Sequence, residues 1–420
     1  MGPGSYIKKL YSTRNPIFDL FCMMILFFML FDGIITYLIP LVVLELGYSK
    51  TLVGIIFSTA AISGAFFDFV IYKIFKKAFY RRLFIVMFLV STLYIFIVWS
   101  AHSFFFFVAA MILWGFYYDL KSFGTLDFFS RYIPKENLSS KFGVLQIFQA
   151  IGCLLAPLIA GFLIIETVGW EPFVTALVFL SISAFFFLLL LREVTGKKQF
   201  IPSDDPHTKK TFAEEFRLWK NVGSVLFPLL LLVSVSTVFD AFFISIGPIV
   251  AENLPFEPFD GLFMVAYFTP PLIMGGLIGS ITTLFGEKKT ALIGLFIGSS
   301  ILTTISFIDS PVFIILIVFI ATCFTTPMTP VYHSISAHCI QNSPLFEKEV
   351  QELSDLFFNI GYIIGPVFAG IIADAFGDIR TFSVLGGIGI VFAIILFIIM
   401  PEKFDMSPLM KDANSDSKDV

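Results

Sequence analysis

Charge is scarce in this sequence. Lys, Arg, Asp and Glu make up 14% of its 420 residues, where a soluble globular chain carries roughly 25%. Too little polar surface is available to coat a water-soluble body of this size. Cysteine is scarce as well. The four present, Cys22, Cys153, Cys323 and Cys339, lie in or beside apolar runs, which excludes a disulfide-built scaffold and reads as small buried hydrophobes. No G-x-S-x-G, H-E-x-x-H, C-x-x-C or phosphate-loop motif occurs, so nothing points to an enzyme, a bound cofactor or direct nucleotide drive. His333 and His338 are five apart, off a common helical face, and offer no metal pair. There is no basic domain and the net charge is −4, which argues against nucleic acid as a partner.

Apolar residues are abundant: 57% of the chain is hydrophobic and 17% aromatic, with 56 Phe. A helix needs roughly 20 apolar residues to cross the ~30 Å hydrocarbon core. About twelve such runs follow one another, from 17–44 to 381–400, and none alternates as a barrel strand would. The fold class expected is an all-α membrane protein with twelve transmembrane helices. The first run lacks a small-residue cleavage site and reads as a retained helix. Of the 27 Lys and Arg, only Lys50, Arg380 and Lys121 fall away from one side of the membrane. That bias places both termini in the cytoplasm.

The longest polar stretch, Arg192 to Asn221, separates six runs from six. The organisation expected is an N-terminal six-helix bundle over 1–191, a cytoplasmic linker over 192–221, a C-terminal bundle over 222–400 and a disordered tail over 401–420. Phe212, Phe216 and Trp219 share one helical face, so the linker is expected to hold a short amphipathic helix on the inner leaflet. The halves also repeat. At an offset of 208, Phe31-Asp32 matches Phe239-Asp240 and Pro40 matches Pro248. At 209, Gly152, Pro157, Ala160 and Gly161 match Gly361, Pro366, Ala369 and Gly370. Two parallel six-helix halves are a transporter architecture.

Several motifs sharpen this. The loop after the eighth run reads Gly279-Ser-Ile-Thr-Thr-Leu-Phe-Gly286-Glu-Lys288-Lys289. It is similar to the G-x-L-A-D-R-x-G-R-K signature of the major facilitator superfamily, with Thr283 in place of the acid. The loop after the second run keeps Tyr80-Arg81-Arg82, and Asp68, after Gly64, reads as a displaced version of the acid. By that resemblance Asp68, Arg81, Arg82, Gly286 and Lys288 are expected at an inner-face gate. The fifth run carries Gly152, Pro157 and Gly161, close to a pattern the family associates with antiporters. The eleventh carries a cleaner copy in Gly361, Gly365, Pro366 and Gly370. The physical content of both is close helix packing through small residues beside a proline bend.

An acid at the bilayer centre costs about 2.5–3.5 kcal/mol on insertion scales and is rarely idle. Asp32, Asp119 and Asp240 lie mid-depth in the first, fourth and seventh runs, and Lys121 is the one base at depth. In the family these spans line the central cavity. Lys121 and Asp119 point to different sides of one helix, so Asp32 or Asp240 is the expected partner of the lysine. Three acids against one base need a proton or a cation between them. Asp32 and Asp240 are therefore expected to couple protons. Asp119 and Lys121 are expected to shape a substrate cavity with Tyr37, Trp114, Tyr117, Tyr118 and Phe239. Pro270-Pro271 and Pro327 with Pro330 are expected to bend the eighth and tenth spans.

The reading is a secondary transporter of the plasma membrane, monomeric among membrane lipids, moving a small molecule by alternating access. It leans to proton-coupled export of a lipophilic or cationic compound. The alternatives are proton-coupled uptake of a small nutrient and, in another class, a non-transporting sensor or a lipid translocase. A sensor would be expected to carry an output domain, which the short linker and tail do not supply.

Overall fold

The computed structural model describes residues 16–74, 79–134, 137–164, 167–195, 212–254, 260–404 and 406, with backbone alone at 68–74, 139 and 212–216. Among them there is no strand. The helices are α1 (Pro16–Glu45), α2 (Lys50–Ile74), α3 (Tyr80–Trp99), α4 (Phe104–Tyr132), α5 (Leu138–Leu163), α6 (Glu171–Val194), α7 (Phe212–Asn253), α8 (Leu262–Met274), α9 (Ile278–Phe285), α10 (Glu287–Thr303), α11 (Pro311–Thr325), α12 (Met328–Asn342), α13 (Glu347–Phe376) and α14 (Asp378–Ile399). Among the described residues, eleven segments are long and apolar enough to cross a membrane. The pair α8 and α9, bent by 66°, makes a twelfth if it counts as one span.

Local chemistry sets the breaks. Gly286 ends α9 and opens α10 at φ +82°, a backbone conformation that costs an L side chain roughly 1–2 kcal/mol. Gly377, at φ +92°, does the same between α13 and α14. Proline opens α6 and α11 within the first turn, where a missing N–H costs nothing. Asp374 of α13 caps the start of α2, accepting hydrogen bonds from the N–H groups of Lys50 (3.1 Å) and Thr51 (2.8 Å) and from the Thr51 hydroxyl (2.6 Å). These are the orphan donors of a helix end.

One expectation needs correction. Pro270 and Pro271 do not place the bend of the eighth span; both lie inside α8. The chain turns after them, at Gly275 and Gly276, where the Gly275 N–H closes on the Pro271 carbonyl (3.1 Å) and a side chain at Gly276 would meet nothing. Glycine supplies the backbone freedom that proline lacks. Phe212 to Asn221 form the first turns of α7 without a break, and Trp219 donates to Glu352 of α13 (2.8 Å). The linker over 196–211 and the tail beyond 406 lie outside the described residues. Pro327 does stand at a break, between α11 and α12.

The chain divides into two compact units: Met1–Gly47, Ile62–Asp204 and Glu257–Gly261 in the first, Tyr48–Ala61, Asp205–Phe256 and Leu262–Val420 in the second. Within the first, α1 packs on α5 and α6, and α3 on α4. Within the second, α7 packs on α13 and α14, and α10 on α11. The internal repeat is visible in these contacts. A Cβ at Gly152 would strike the Leu26 carbonyl and Met29 of α1; one at Gly361 would strike the Ser234 carbonyl and Thr237 of α7. Leu26 and Met29 stand 208 residues before Ser234 and Thr237. The helices α1 and α7 are also the most enclosed, with 67% and 61% of their apolar windows buried against 22% for α5. Asp32 and Asp240 sit on these two.

Candidate functional site

In the first unit the site begins with Asp32, 5% exposed on α1. Two residues of α4, three apart and so on one face, reach its carboxylate. The Trp114 indole donates to Oδ1 (3.0 Å) and the Tyr117 hydroxyl donates to the same oxygen (2.5 Å). Indole is a donor only, so Oδ1 is held as an acceptor, and a proton on this acid belongs on Oδ2, which takes part in neither bond. Tyr117 is fully buried and packs edge-on against Phe28 and Tyr94.

Lys121 lies one turn along α4 from Tyr117 and is 3% exposed. Its ammonium does not pair directly with a carboxylate among the described residues. It sits 3.5 Å from the centre of the Tyr118 ring and 3.6 Å from Met29 Sδ, while its charge still bears on Asp32 electrostatically. A cation–π contact is a partial substitute for lost hydration. The Trp114 ring also packs against Tyr118, ring centres 5.4 Å apart, and Tyr118 is 37% exposed. Asp32, Trp114, Tyr117, Tyr118 and Lys121 therefore form one cluster. Asp119 faces away from it: its carboxylate oxygens approach α2 at Gly64, 3.8 Å from where a Cβ there would stand. Tyr37 is buried above Asp32 on α1.

In the second unit Asp240 is half-buried on α7. Its Oδ1 accepts from the Tyr267 hydroxyl of α8 and its Oδ2 from the Tyr362 hydroxyl of α13 (3.2 Å). Tyr267 stacks on Phe243, ring centres 4.0 Å apart. A phenol can donate or accept, so Asp240 keeps both contacts whether or not it carries a proton. Phe239 turns from this acid toward α14, where its ring fills the space a side chain at Gly389 would need. The repeat thus preserves the acid but not its partners: α4 supplies the donors to Asp32, α8 and α13 those to Asp240.

The loop residues are held in place by local bonds. Asp127, at the end of α4, accepts from the Tyr80 N–H that opens α3 (2.8 Å) and is gripped by Arg131 (2.8 and 2.9 Å). Arg81 donates to the Tyr80 hydroxyl (3.1 Å), and Arg82 is exposed. Glu287, beside Gly286, ties α10 to α12 by accepting from Ser334 (2.5 Å). Lys288 stands 3.8 Å from the exposed Glu402, a screened pair of little energetic weight. The Asp68 side chain lies outside the described residues. Gly161 meets the backbone of Gly261, Gly365 meets Ala241, Gly370 meets the Lys50 carbonyl, and the carbonyls of Pro157 and Pro366 lie under Gly261 and Gly54. Each serves close helix packing.

The sequence profile of the Major Facilitator Superfamily matches residues 20–341 and again 229–414. The chain belongs to this superfamily. The major facilitator fold is also seen in similar solved structures. The nucleoside transporter NupG superposes with a TM-score of 0.70 at 14% identity, over 92% of this chain and 99% of its own. A bacterial homologue of the human lysosomal transporter Spinster gives 0.72 at 14%, over 94% and 100%. Among curated proteins, the multidrug resistance efflux pump PmrA of Streptococcus pneumoniae serotype 4 is 26% identical over 257 residues, 58% of this chain. This chain spans 60% of the length of that relative. As a superfamily member it is a multi-pass membrane protein of a transporter family, whose members act on small molecules and are not enzymes.

Proposed function

We propose that the protein is a secondary transporter that exports a lipophilic or cationic compound in exchange for protons. It works by alternating access between six-helix bundles at 1–191 and 222–400, with both termini, the linker and the tail in the cytoplasm and the chain monomeric in the plasma membrane. Asp32 and Asp240 carry protons, while Lys121, Trp114, Tyr117, Tyr118, Asp119, Tyr37 and Phe239 border the path of the substrate. Arg81, Arg82, Asp68, Gly286 and Lys288 take part in closing the inner face.

One observation carries the reading: a carboxylate buried at mid-span with its Oδ1 fixed by an indole and a phenol, and a buried ammonium that leaves it unpaired. Burying an acid and a base without direct pairing is costly, and the cost is met where a proton or a ligand visits the site. The exposed ring of Tyr118, which already seats an ammonium, favours a cationic cargo. The weakly similar PmrA, named a multidrug efflux pump, supports export. Purified protein in liposomes, given ethidium and an imposed pH gradient, is expected to accumulate the dye against its gradient. Accumulation that ignores the pH gradient would overturn the coupling.

A further inference from the structure

Bases gather where α3 begins. Lys73, Lys76, Lys77, Arg81 and Arg82 follow closely, and no acid occurs between Asp68 and Asp119. The carboxylate that reaches this end, Asp127 of α4, is already balanced. Arg131 grips it (2.8 and 2.9 Å), and the Tyr80 N–H donates to it (2.8 Å). The Arg81 Nε donates to the buried Tyr80 hydroxyl (3.1 Å), and the guanidinium also bonds to Tyr132, whose hydroxyl lies 3.4 Å from that of Tyr80. Two phenols thus fix this guanidinium without neutralising it, and they leave donors over, since arginine carries five. Arg82 is exposed, and among the described residues no carboxylate pairs with either arginine.

Beyond these charges α3 is apolar and uncovered along one face. Ile85, Leu89, Leu93 and Phe96 are all exposed. They follow Arg82 at steps of three and four residues, so the arginine heads the stripe they form. Phe79, just before the helix, is exposed as well, with the Arg131 guanidinium 4.3 Å from its ring centre. From Arg82 to Leu93 the helix rises about 16 Å, at ~1.5 Å per residue. That is the depth of one leaflet, half of the ~30 Å hydrocarbon core. A cationic head above an apolar track one leaflet long complements an anionic phospholipid in both charge and length. Bases beside a membrane span attract anionic headgroups, and the arginine fork matches phosphate geometry.

We propose that this face of α3 is a binding site for an anionic phospholipid. The phosphate is held by Arg81 and Arg82, and an acyl chain lies along Ile85, Leu89 and Leu93. The site is defined by binding, and it depends on neither the cargo nor the proton of the transport reading.

The test is thermophoresis of the purified full chain in detergent, titrated with dioctanoylphosphatidylglycerol. Dioctanoylphosphatidylcholine has the same tails without net charge, and glycerol phosphate has the phosphate without tails. The anionic lipid is expected to bind roughly tenfold more tightly than either. Arg82→Gln is expected to weaken it about fivefold, the worth of one base beside an anionic leaflet, and Arg82→Lys to recover most of that loss. Adding Arg81→Gln deepens the loss further. Leu89→Gln, within the apolar track, is expected to weaken both lipids alike. Lys289→Gln, which removes an exposed base at the start of α10 in the second unit, is expected to leave the affinity unchanged. An unaltered melting temperature in Arg82→Gln separates lost binding from lost folding. The proposal is overturned if phosphatidylcholine or glycerol phosphate binds as tightly as phosphatidylglycerol, if the double arginine variant keeps its affinity, or if Lys289→Gln lowers it as much as Arg82→Gln does.

Discussion

At the scale of single residues, what distinguishes this chain is how it holds ionised groups in a nearly charge-free interior. Asp32 uses a donor-only indole and a buried phenol on one oxygen. Lys121 rests on a ring and a thioether. Hydrogen bonds to charged groups are the strong ones, and a buried acceptor that loses its donor bears the full desolvation cost. Tyr117→Phe, which removes the fully buried donor, is therefore expected to cost about 2 kcal/mol of stability, read from thermal unfolding in detergent. An unchanged unfolding curve would show that the phenol does not hold the acid. Trp114 and Tyr117 were expected at a substrate cavity and not as donors to Asp32, because their spacing on α4 does not say which helix they face. The partners of Asp240 were not legible either: Tyr267 and Tyr362 come from two separate helices, and no periodicity joins them to position 240. Nor was the lysine foreseen on a ring, since charge counting pairs a base with an acid by default.

At the scale of elements, the repeat is a packing rule more than a sequence rule. A Cβ at Gly33 would meet Ala156 Cβ at 2.6 Å, and a Cβ at Gly365 would meet Ala241 Cβ at 2.6 Å. The offsets make these the same contact, with glycine on α1 in the first unit and on the partner helix α13 in the second. Each pair keeps one small and one smaller residue, and the side that carries the glycine has switched. Gly33→Ala alone is expected to lower stability by about 1–3 kcal/mol through overpacking. Adding Ala156→Gly is expected to restore most of it, because that combination is the one α7 and α13 already use. Thermal unfolding of the single and double variants checks this, and a double variant no better than the single would break the equivalence. The spans themselves were legible because oil demands long apolar runs. The bend in the eighth was misplaced because two prolines look like a hinge, while the glycine pair four residues on has the freedom to be one.

At the scale of the whole molecule, membership of the superfamily and the transporter fold are established, and the account adds a mechanism to them. Asp32 and Asp240 sit on the two most enclosed helices, with different partners. Asp240 keeps its two phenols in either protonation state, whereas Asp32 has one oxygen fixed and one available. Of the two proposed proton carriers, Asp32, with one oxygen available, gives the sharper test. The most direct measurement compares two modes of the Asp32→Asn variant in liposomes. In counterflow, labelled substrate exchanges for unlabelled with no pH gradient, and the variant is expected to match the wild type. In gradient-driven transport it is expected to lose accumulation while the wild type retains it. An Asp32→Asn variant that still concentrates substrate at the expense of a pH gradient would contradict the account.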